Sequence, residues 1–360
     1  MNLRYRAVVS LSAAATAATL SLALAVPAQA ATPGWRVVFG THYGASTTDS
    51  GYVTVVAPSK LDLWAFGGSD LSGATPEVPV AEHWNGSAWT AGVLPAAVTS
   101  SANSAIEAAS AVSPSNIWAV TQFHGYVMHW NGAWSVATQL PGAGQLTGIT
   151  AISSTNVWVF GSGGFTGGLG TWHYNGSTWT QQTGNASGIA LASALSASNI
   201  WAVGSDGSSP QDAIVHYNGT AWQPEQATAL TGLQFQSVLA ISPTNVWVSA
   251  VKQTNNFVGF LLHFNGSQWS KFTLPWAGST GVLTSDGQGG IWLTAEDSSN
   301  HSWVAHRSVA GTWTRTLIGS APTHLLSLAL IPGTTSLWGA GSFIKGSGTD
   351  AGIWAHGAIP

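Results

Sequence analysis

Histidine recurs at one position of a motif that repeats along this chain, and histidine is the side chain most often used to bind metals and to move protons near neutral pH. The motif reads His-(Trp/Tyr/Phe)-Asn-Gly-x-x-Trp, with a drifted sixth copy and a truncated seventh. The histidines assigned to this position are His83, His129, His173, His216, His263, His306 and His356. Metal ligands must lie within about 2.0 to 2.6 Å of one ion. Residues that recur once per repeat are held apart, so we predict no metal site and expect each histidine to be structural, hydrogen-bonded to a neighbouring backbone or hydroxyl group.

The other chemically versatile residues do not form a catalytic set. The chain has no cysteine, which excludes a thiolate nucleophile, a thiolate metal site and disulfides. After residue 30 the arginines are Arg36, Arg307 and Arg315, all expected on strands of the last two repeats, so no arginine cluster is predicted. Glu107, together with Asp286 at a strand end, is the nearest match to the paired carboxylates of glycoside hydrolases, which lie about 5 to 9.5 Å apart. No catalytic residue and no cofactor is predicted, and polysaccharide hydrolase or lyase activity remains an alternative.

The first thirty residues have the pattern of a secretory signal peptide. Arg4 and Arg6 precede an apolar, alanine-rich run that ends at Ala28-Gln29-Ala30. We therefore predict a signal peptide over residues 1–30 and a secreted, extracellular chain over residues 31–360. That chain has seven Lys and Arg against thirteen Asp and Glu, a net charge of −6, which disfavours nucleic acid as a partner. No second apolar stretch reaches the roughly 18 to 20 residues that span a bilayer, so no membrane span is predicted.

A second motif alternates with the first and predicts the fold. It reads Ser-x-x-Asn-(Ile/Val)-Trp-(Ala/Val) and recurs at intervals of 40 to 54 residues, a period typical of propellers. Its tryptophans are Trp64, Trp118, Trp158, Trp201, Trp247, Trp292 and Trp338. The Asn-Gly pairs of the histidine motif supply the positive φ that a tight hairpin needs. The pattern indicates four strands per repeat, so we predict an all-β, seven-bladed β-propeller with four antiparallel strands per blade.

The ring is predicted to close through the N-terminus. The last repeat leaves no residues for a fourth strand, whereas residues 34–38, Gly-Trp-Arg-Val-Val, fit the fourth-strand pattern. Trp35 precedes Trp89 by the same 54 residues that separate Trp64 from Trp118. We therefore predict that residues 34–38 form the outer strand of blade seven and remove the exposed sheet edges. The fourteen motif tryptophans are expected to pack between blades.

The two motifs resemble those of repeat proteins secreted by Streptomyces and related actinomycetes, which are distantly similar to kelch and galactose-oxidase-like propellers. The resemblance covers residues 34–360. Some seven-bladed propellers of that group are lectins, including lectin-like subunits of secreted umbrella toxin particles, so the resemblance implies glycan or cell-surface recognition. It assigns no ligand residue, because the matching positions are those that the fold itself requires.

Ligand-binding residues are expected in the irregular loops, since variable loops on a rigid scaffold are where binding usually occurs. Strand alternation puts the connections between strands two and three, and those between blades, on one face, which we call the loop face. The opposite turn face has only short, uniform turns. Long loop-face segments are predicted at 161–170, 251–258, 294–302 and 341–351. The predicted ligand-binding residues are Tyr43, His124, Asp206, Asp212, Asn255, Trp276, Asn300 and His301.

The predicted function is non-catalytic binding of a glycan or cell-surface polysaccharide. Trp276, in an irregular segment, is the tryptophan expected to stack on a sugar ring. One shared site over the channel mouth and several sites between blades both remain open. The same face could instead dock another secreted protein subunit, and nothing in the sequence separates these two functions.

Overall fold

The computed structural model describes residues 34–44, 49–69, 77–142, 144–161, 168–205, 212–252, 258–299, 301–319, 323–346 and 348–359. The predicted signal peptide lies outside these ranges. Within them, no helix has the length and hydropathy to span a bilayer.

The described residues form seven four-stranded antiparallel sheets, so the chain is a seven-bladed β-propeller, as predicted. In chain order the strands are β1 (Trp35–Thr41), β2 (Ser50–Ser59), β3 (Asp62–Ser69), β4 (Val78–Trp84), β5 (Trp89–Ala91), β6 (Ile106–Ser113), β7 (Asn116–Thr121), β8 (Tyr126–Trp130), β9 (Trp134–Gln139), β10 (Gly148–Ser153), β11 (Asn156–Phe160), β12 (Thr171–Tyr174), β13 (Trp179–Gln182), β14 (Ile189–Ser196), β15 (Asn199–Ser205), β16 (Asp212–Tyr217), β17 (Trp222–Pro224), β18 (Gln234–Ser242), β19 (Asn245–Lys252), β20 (Val258–Phe264), β21 (Trp269–Thr273), β22 (Ser279–Ser285), β23 (Ile291–Glu296), β24 (Ser302–Arg307), β25 (Trp313–Gly319), β26 (His324–Leu330), β27 (Leu337–Lys345) and β28 (Gly348–His356). One short helix, α1 (Ala96–Thr99), and single 3-10 turns at Gly184–Ala186 and Thr228–Leu230 lie in connections between blades.

The first strand of the described chain closes the ring. Blades one to six take consecutive strands from β2 to β25, whereas blade seven has the order β1-β28-β27-β26. Trp35 pairs with His356, and the pairing continues to Thr41. Arg36 adds a hydrogen bond of 2.9 Å to the carbonyl oxygen of Gly357. The predicted closure is confirmed, and the strand extends three residues beyond the predicted end at residue 38.

The same three side chains recur within a blade and fix its second and third strands together. In blade three, the rings of Trp158 and His173 stack with centroids 4.1 Å apart, and His173 Nε2 donates to Asn156 Oδ1 at 3.0 Å. Blades two, four and five repeat this hydrogen bond, and Asp62 and Asp286 replace the asparagine in blades one and six. The histidines of blades one to six are structural, but their partner is the asparagine of the other motif, or Asp62 or Asp286 in its place, and not a backbone or hydroxyl group as expected.

His356 does not occupy the repeat position to which the sequence assigned it. Ala355 pairs with Trp338 in blade seven, where the histidine pairs with the second-strand tryptophan in the other blades. His356 lies one residue later and packs on Trp292 of blade six with ring centroids 4.6 Å apart. Blade seven has no hairpin between its third and fourth strands to fix this register, because its fourth strand comes from the N-terminus.

Tryptophans fill the interfaces between blades, as predicted. The fourth-strand tryptophan of one blade meets the second-strand tryptophan of the preceding blade edge to face; for Trp134 and Trp64 the centroids are 5.4 Å apart at 87°. The equivalent pairs are Trp89–Trp338, Trp179–Trp118, Trp222–Trp158, Trp269–Trp201 and Trp35–Trp292. Among the described residues, the interface between blades five and six is the exception. There Trp313 packs on Trp276 at 5.1 Å and 87°, and the Arg307 guanidinium lies 5.0 Å from the centre of the Trp247 ring.

Four-residue loops join strands three and four in blades one, three, four and five. Asn85 Oδ1 accepts hydrogen bonds from the N–H groups of Ser87 and Ala88 at 3.0 and 2.9 Å, and Asn175, Asn218 and Asn265 do the same in their blades. Gly86 has a φ of +90°, as predicted for this glycine. The turn therefore depends on an asparagine side chain as well as on a glycine.

One predicted loop is instead part of the sheet. Residues 341–351 were expected to be irregular, but β27 and β28 extend through most of this segment and pair as far as Lys345 and Gly348. Glycine weakens a strand, so Gly341 and Gly346 in this segment did not indicate that the strand continues.

We expect removal of residues 34–40 from a chain of residues 31–360 to lower the free energy of unfolding by at least about 3 kcal/mol. Blade seven would lose its fourth strand, and Trp35 and the buried Phe39 would leave two interfaces. Thermal unfolding followed by circular dichroism tests this, with Val37→Ala as the control because Val37 is 48% exposed. An unchanged melting temperature after the deletion would contradict closure through β1.

Candidate functional site

The structure describes the side chains of four predicted ligand-binding residues: Tyr43, His124, Trp276 and His301. Asp206, Asn255 and Asn300 lie outside the described residues. Asp212 begins β16, but its side chain is not described. The four described residues lie in three separate places around the ring, and only Trp276 and His301 fall in one cluster.

Tyr43 belongs to a buried polar cluster between blades one and seven. Its hydroxyl donates to Glu82 Oε1 at 2.7 Å and lies 3.0 Å from the Tyr52 hydroxyl. Burial, followed by the nearby Glu82 charge, raises the pKa of Tyr43, so the phenol keeps its proton. Next to it, His42 pairs at 2.8 Å with the buried Asp350 of blade seven. These contacts anchor the segment that follows β1, which indicates a role in closure for Tyr43.

His124 lies on the loop face in the connection between β7 and β8. Its φ is +68°, a left-handed conformation that is uncommon for residues other than glycine. The ring Nε2 lies 2.5 Å from the carbonyl oxygen of Ala102, to which it donates. The ring is exposed, but this nitrogen is committed to holding the loop.

Trp276 and His301 belong to a cluster at the outer edge of the interface between blades five and six. We call Trp276, Asp297, His301, Trp303 and Arg315 the blade-six cluster. The guanidinium of Arg315 lies 4.3 Å from the centre of the Trp303 ring and 5.6 Å from that of Trp276. Trp276 and Trp303 are half-buried, and Arg315 is exposed. The cluster thus presents two indole rings and one cation to solvent.

Asp297 fixes the geometry of this cluster. Its Oδ2 accepts a hydrogen bond from Trp303 Nε1 at 3.1 Å and lies 3.1 Å from His301 Nδ1. Its Oδ1 accepts from the N–H groups of Ser299 and His301 at 2.9 and 3.0 Å. The hydrogen bond from the His301 backbone and that from Trp303 are the main causes that hold the pKa of Asp297 well below its usual range. Asp297 is therefore ionised and fully engaged in orienting Trp303 and His301.

Asp297, Trp303 and Arg315 were not among the predicted ligand-binding residues. A register argument would have found two of them. The hairpin pairs Arg307 with Trp313 and Ala305 with Arg315, so the alternating residues 303, 305 and 307 of β24 lie on the same side as 313 and 315 of β25. That side faces blade five, where Trp276 lies.

Glu107 and Asp286, the two carboxylates of the alternative hydrolase function, lie at opposite ends of the inner strands. Glu107 is the second residue of β6, at the loop-face end, whereas Asp286 follows β22 in a turn on the turn face. Asp286 Oδ1 accepts from the N–H groups of Gln288 and Gly290 at 2.7 and 2.8 Å, and Oδ2 accepts from His306 at 2.9 Å. Asp286 thus takes the structural place of the repeat asparagine.

A groove of about 510 Å³ separates blades one and two on the outer wall. It is lined by Trp64, His83, Trp130 and Trp134, and by the segment that follows β5. The loop between β8 and β9 is one residue shorter than its equivalents, and no atom lies within 4 Å of the position a Cβ would take at Gly132. The shorter loop leaves this interface partly open.

Among the described residues, no group of three or more histidine, aspartate or glutamate side chains is arranged to hold a metal ion. The repeat histidines lie one to a blade, and those of blades one to six each have their own hydrogen-bond partner. No residue of the described part of the chain is therefore assigned to a metal or cofactor.

No protein-family model matches the chain, and no curated protein matches it. Solved structures share its fold. YCF48 bound to a D1 peptide is 13% identical with a TM-score of 0.59, covering 92% of this chain and 99% of that one. A catalytically inactive virginiamycin B lyase from Staphylococcus aureus with quinupristin is 9% identical with a TM-score of 0.59, covering 91% of this chain and 100% of that one. A streptogramin B lyase is 11% identical with a TM-score of 0.60, covering 88% and 96%. Identities this low establish the propeller fold alone.

We expect the stability of Glu82→Gln, measured relative to wild type, to increase as pH rises. Burial raises the pKa of the Glu82 carboxyl, and the hydrogen bond from Tyr43 lowers it by less. Because the folded pKa is above the unfolded value of about 4.3, the stability that protonated Glu82 contributes is fully present below that unfolded value. That contribution is lost as pH rises through the raised folded pKa. Glutamine keeps an acceptor for Tyr43 and carries no charge.

The measurement is the difference in melting temperature between Glu82→Gln and wild type from pH 4 to pH 8. We expect the difference to move in favour of the variant with rising pH and then level off. Asp49→Asn is the control, because it removes a carboxylate of the same region that accepts a hydrogen bond from Thr349 and has no contact with Tyr43 or Glu82 among the hydrogen bonds of the described residues. A difference independent of pH would show that Glu82 titrates normally.

Proposed function

We propose that this chain is a secreted, non-catalytic propeller that binds a carbohydrate or cell-surface polysaccharide. The observation that carries the proposal is the blade-six cluster, in which two half-buried indole rings and an exposed guanidinium are held in fixed positions. Exposed tryptophan rings stack well on the apolar faces of sugar rings and lose little conformational entropy on binding. The resemblance to lectin-like subunits of secreted toxin particles supports the same proposal.

The absence of catalysis is part of this proposal and rests on geometry. Glu107 and Asp286 lie at opposite ends of the inner strands, and Asp286 is occupied by His306 and two backbone N–H groups. A hydrolytic carboxylate pair needs both groups at one bond, about 5 to 9.5 Å apart. The lyases among the solved structures share the propeller fold, so turnover of a polysaccharide is an outcome that the test includes.

A protein-interaction platform is the second candidate function. It is favoured by the groove between blades one and two, whose lining includes Trp130 and Val93, a valine that is 86% exposed. YCF48, which shares the fold, was solved bound to a peptide. A partner of this kind would be another secreted subunit.

We expect residues 31–360 to be retained on at least one polysaccharide or glycan of an array, without hydrolysis or elimination of it. Trp303→Ala should weaken that binding about tenfold or more, because it removes one ring and the support of Arg315. Trp130→Ala, a half-buried indole in the other candidate surface, is the matched control and should leave glycan binding unchanged.

The melting temperatures of Trp303→Ala and Trp130→Ala test whether both variants are folded. Trp303→Phe keeps an aromatic ring at this position, so it separates the loss of the ring from a loss of packing. Retention of no glycan, together with a tight protein partner whose binding depends on Trp130, would replace the glycan-binding function by the platform. Polysaccharide turnover lost in Glu107→Gln would contradict both.

A further inference from the structure

We infer that Arg315, held between Trp276 and Trp303, binds the oxyanion of an acidic glycan, specifically the carboxylate of a uronic acid. This inference rests on the proposed glycan-binding function and names the ligand class of the blade-six cluster. The N–H groups of Arg315 have no hydrogen-bond partner among the described residues, and two tryptophan rings hold its guanidinium. Further positive charges lie on the outer strands of the neighbouring blades.

Arg315 has no protein partner for its N–H groups among the described residues. The guanidinium makes two ring contacts, at 4.3 Å to Trp303 and 5.6 Å to Trp276, and neither a hydrogen bond nor an ion pair. Of the other two arginines after residue 30, Arg36 donates to the Gly357 carbonyl oxygen, and Arg307, which also makes ring contacts, is half-buried over Trp247 and Phe272. Arg315 is thus the arginine that both lacks a hydrogen bond among the described residues and is exposed to solvent.

Ring contacts of this kind leave the edge of the guanidinium available. Aromatic rings cover the flat faces of an arginine, whereas its N–H donors point outward in the plane of the group. That planar fork matches a carboxylate with two parallel hydrogen bonds. A neutral sugar offers hydroxyl groups only and has no group that pairs with a full positive charge. The carboxylate of a uronic acid lies on the sugar ring itself, so one residue can meet both Arg315 and an indole ring.

The site is preorganised by residues that do not themselves need to contact the ligand. Asp297 holds Trp303 through a 3.1 Å hydrogen bond, and Trp313 holds Trp276 edge to face at 5.1 Å. Both carboxylate oxygens of Asp297 are already occupied by protein donors. Asp297 is therefore a positioning residue, and it leaves the Arg315 donors free for an incoming anion.

The distribution of charge favours an anion at this place on the molecule. The outer strands of blades five, six and seven contain Lys271, Arg315 and Arg36 and have no acidic residue. Glu296 and Asp297 lie beside this outer wall, but Glu296 pairs with His324 and both oxygens of Asp297 accept from protein donors. Other carboxylates lie at the loop-face ends of strands in blades one, two and seven, at Asp49, Glu77, Glu107 and Asp350. A polyanion is therefore attracted to the outer wall of blades five to seven more than to the loop face of blades one, two and seven.

Blade five repeats the arrangement in a weaker form. Lys271 follows Trp269 by two residues, as Arg315 follows Trp313, and its Nζ lies 5.4 Å from the centre of the Phe260 ring. Phe260 in turn precedes the repeat histidine by three residues, as Trp303 does. Two adjacent blades therefore present a cation beside an aromatic ring, which suits a polymer with repeated charges better than a single small anion.

The test measures binding of residues 31–360 to polygalacturonate, a uronic-acid polymer, and to neutral dextran at two salt concentrations. Dextran sulfate and a phosphate-rich teichoic acid are further arms, because sulfate and phosphate share the oxyanion chemistry. We expect polygalacturonate to bind and dextran to bind far more weakly. Arg315→Gln should lose about ten- to a hundredfold in affinity for the uronic-acid polymer.

The controls separate recognition of a carboxylate by two guanidinium hydrogen bonds from general attraction by positive charge. Lys60→Gln removes one exposed positive charge from a turn of blade one and should leave the affinity unchanged. Arg315→Lys keeps the charge without the fork and should lose most of the affinity. Lys271→Gln should lose less than Arg315→Gln. Asp297→Asn should weaken binding while Arg315 is intact. It should also change the tryptophan fluorescence of the protein, and that change should be absent when Trp303 is replaced by phenylalanine, which a loss of charge alone would not produce.

Several outcomes would overturn the inference. Equal losses in Lys60→Gln and Arg315→Gln would reduce the effect to non-specific attraction. Binding of dextran as tight as that of polygalacturonate, with Arg315→Gln unaffected, would overturn the acidic ligand and leave the proposed glycan-binding function standing. Retention of no polysaccharide or glycan at all would overturn both. Arg315-dependent binding of the sulfate or phosphate polymer alone would overturn the carboxylate as the ligand.

Discussion

The contact between the second-strand tryptophan and its neighbours is the interaction on which this ring depends. In blade three, Trp158 has the His173 ring of its own blade on one side, at 4.1 Å, and Tyr217 and Trp222 of the next blade at 5.1 and 5.4 Å. The histidine is in turn fixed by Asn156. A chain with no disulfides and few charged residues must obtain its stability from such packing. Because the stack crosses from one blade to the next, each blade is stable only next to a correctly formed neighbour.

This dependence explains why the interface between blades five and six differs from the others. Blades one to five have an aromatic residue after the repeat histidine, and in blade six that residue is Arg307. Its guanidinium replaces the aromatic ring over Trp247 at 5.0 Å. Trp313 then packs on Trp276 instead, and the connection between the blades is held at the outer edge. A single substitution in the repeat thus accompanies the cluster that brings Trp276, Trp303 and Arg315 together.

The architecture could be predicted from the sequence because the same two motifs recur in successive blades. The interval from Trp35 to Trp89 predicted the closing strand, and the structure has Trp35 in the fourth-strand position of blade seven. The partner of the repeat histidine was missed, since a hydrogen bond between His173 and Asn156 joins two motifs that are separate in sequence. The register of His356 was missed for a related reason: the hairpin that fixes this position elsewhere is absent from blade seven.

The candidate site was harder to predict because it lies where the repeat breaks. Trp276 and His301 were predicted from their irregular surroundings, whereas Asp297, Trp303 and Arg315 are ordinary loop and strand residues when each is considered alone. What makes them a site is the register of β24 with β25, which puts Trp303 and Arg315 on one side, and the turn that brings Asp297 to the Trp303 indole. In a propeller the repeated positions are constrained by packing, so a residue that departs from the repeat is free to serve another purpose. The departure at Arg307 falls in the interface whose outer edge also holds Trp276 and Arg315, and that coincidence supports a binding role for the outer edge of blade six.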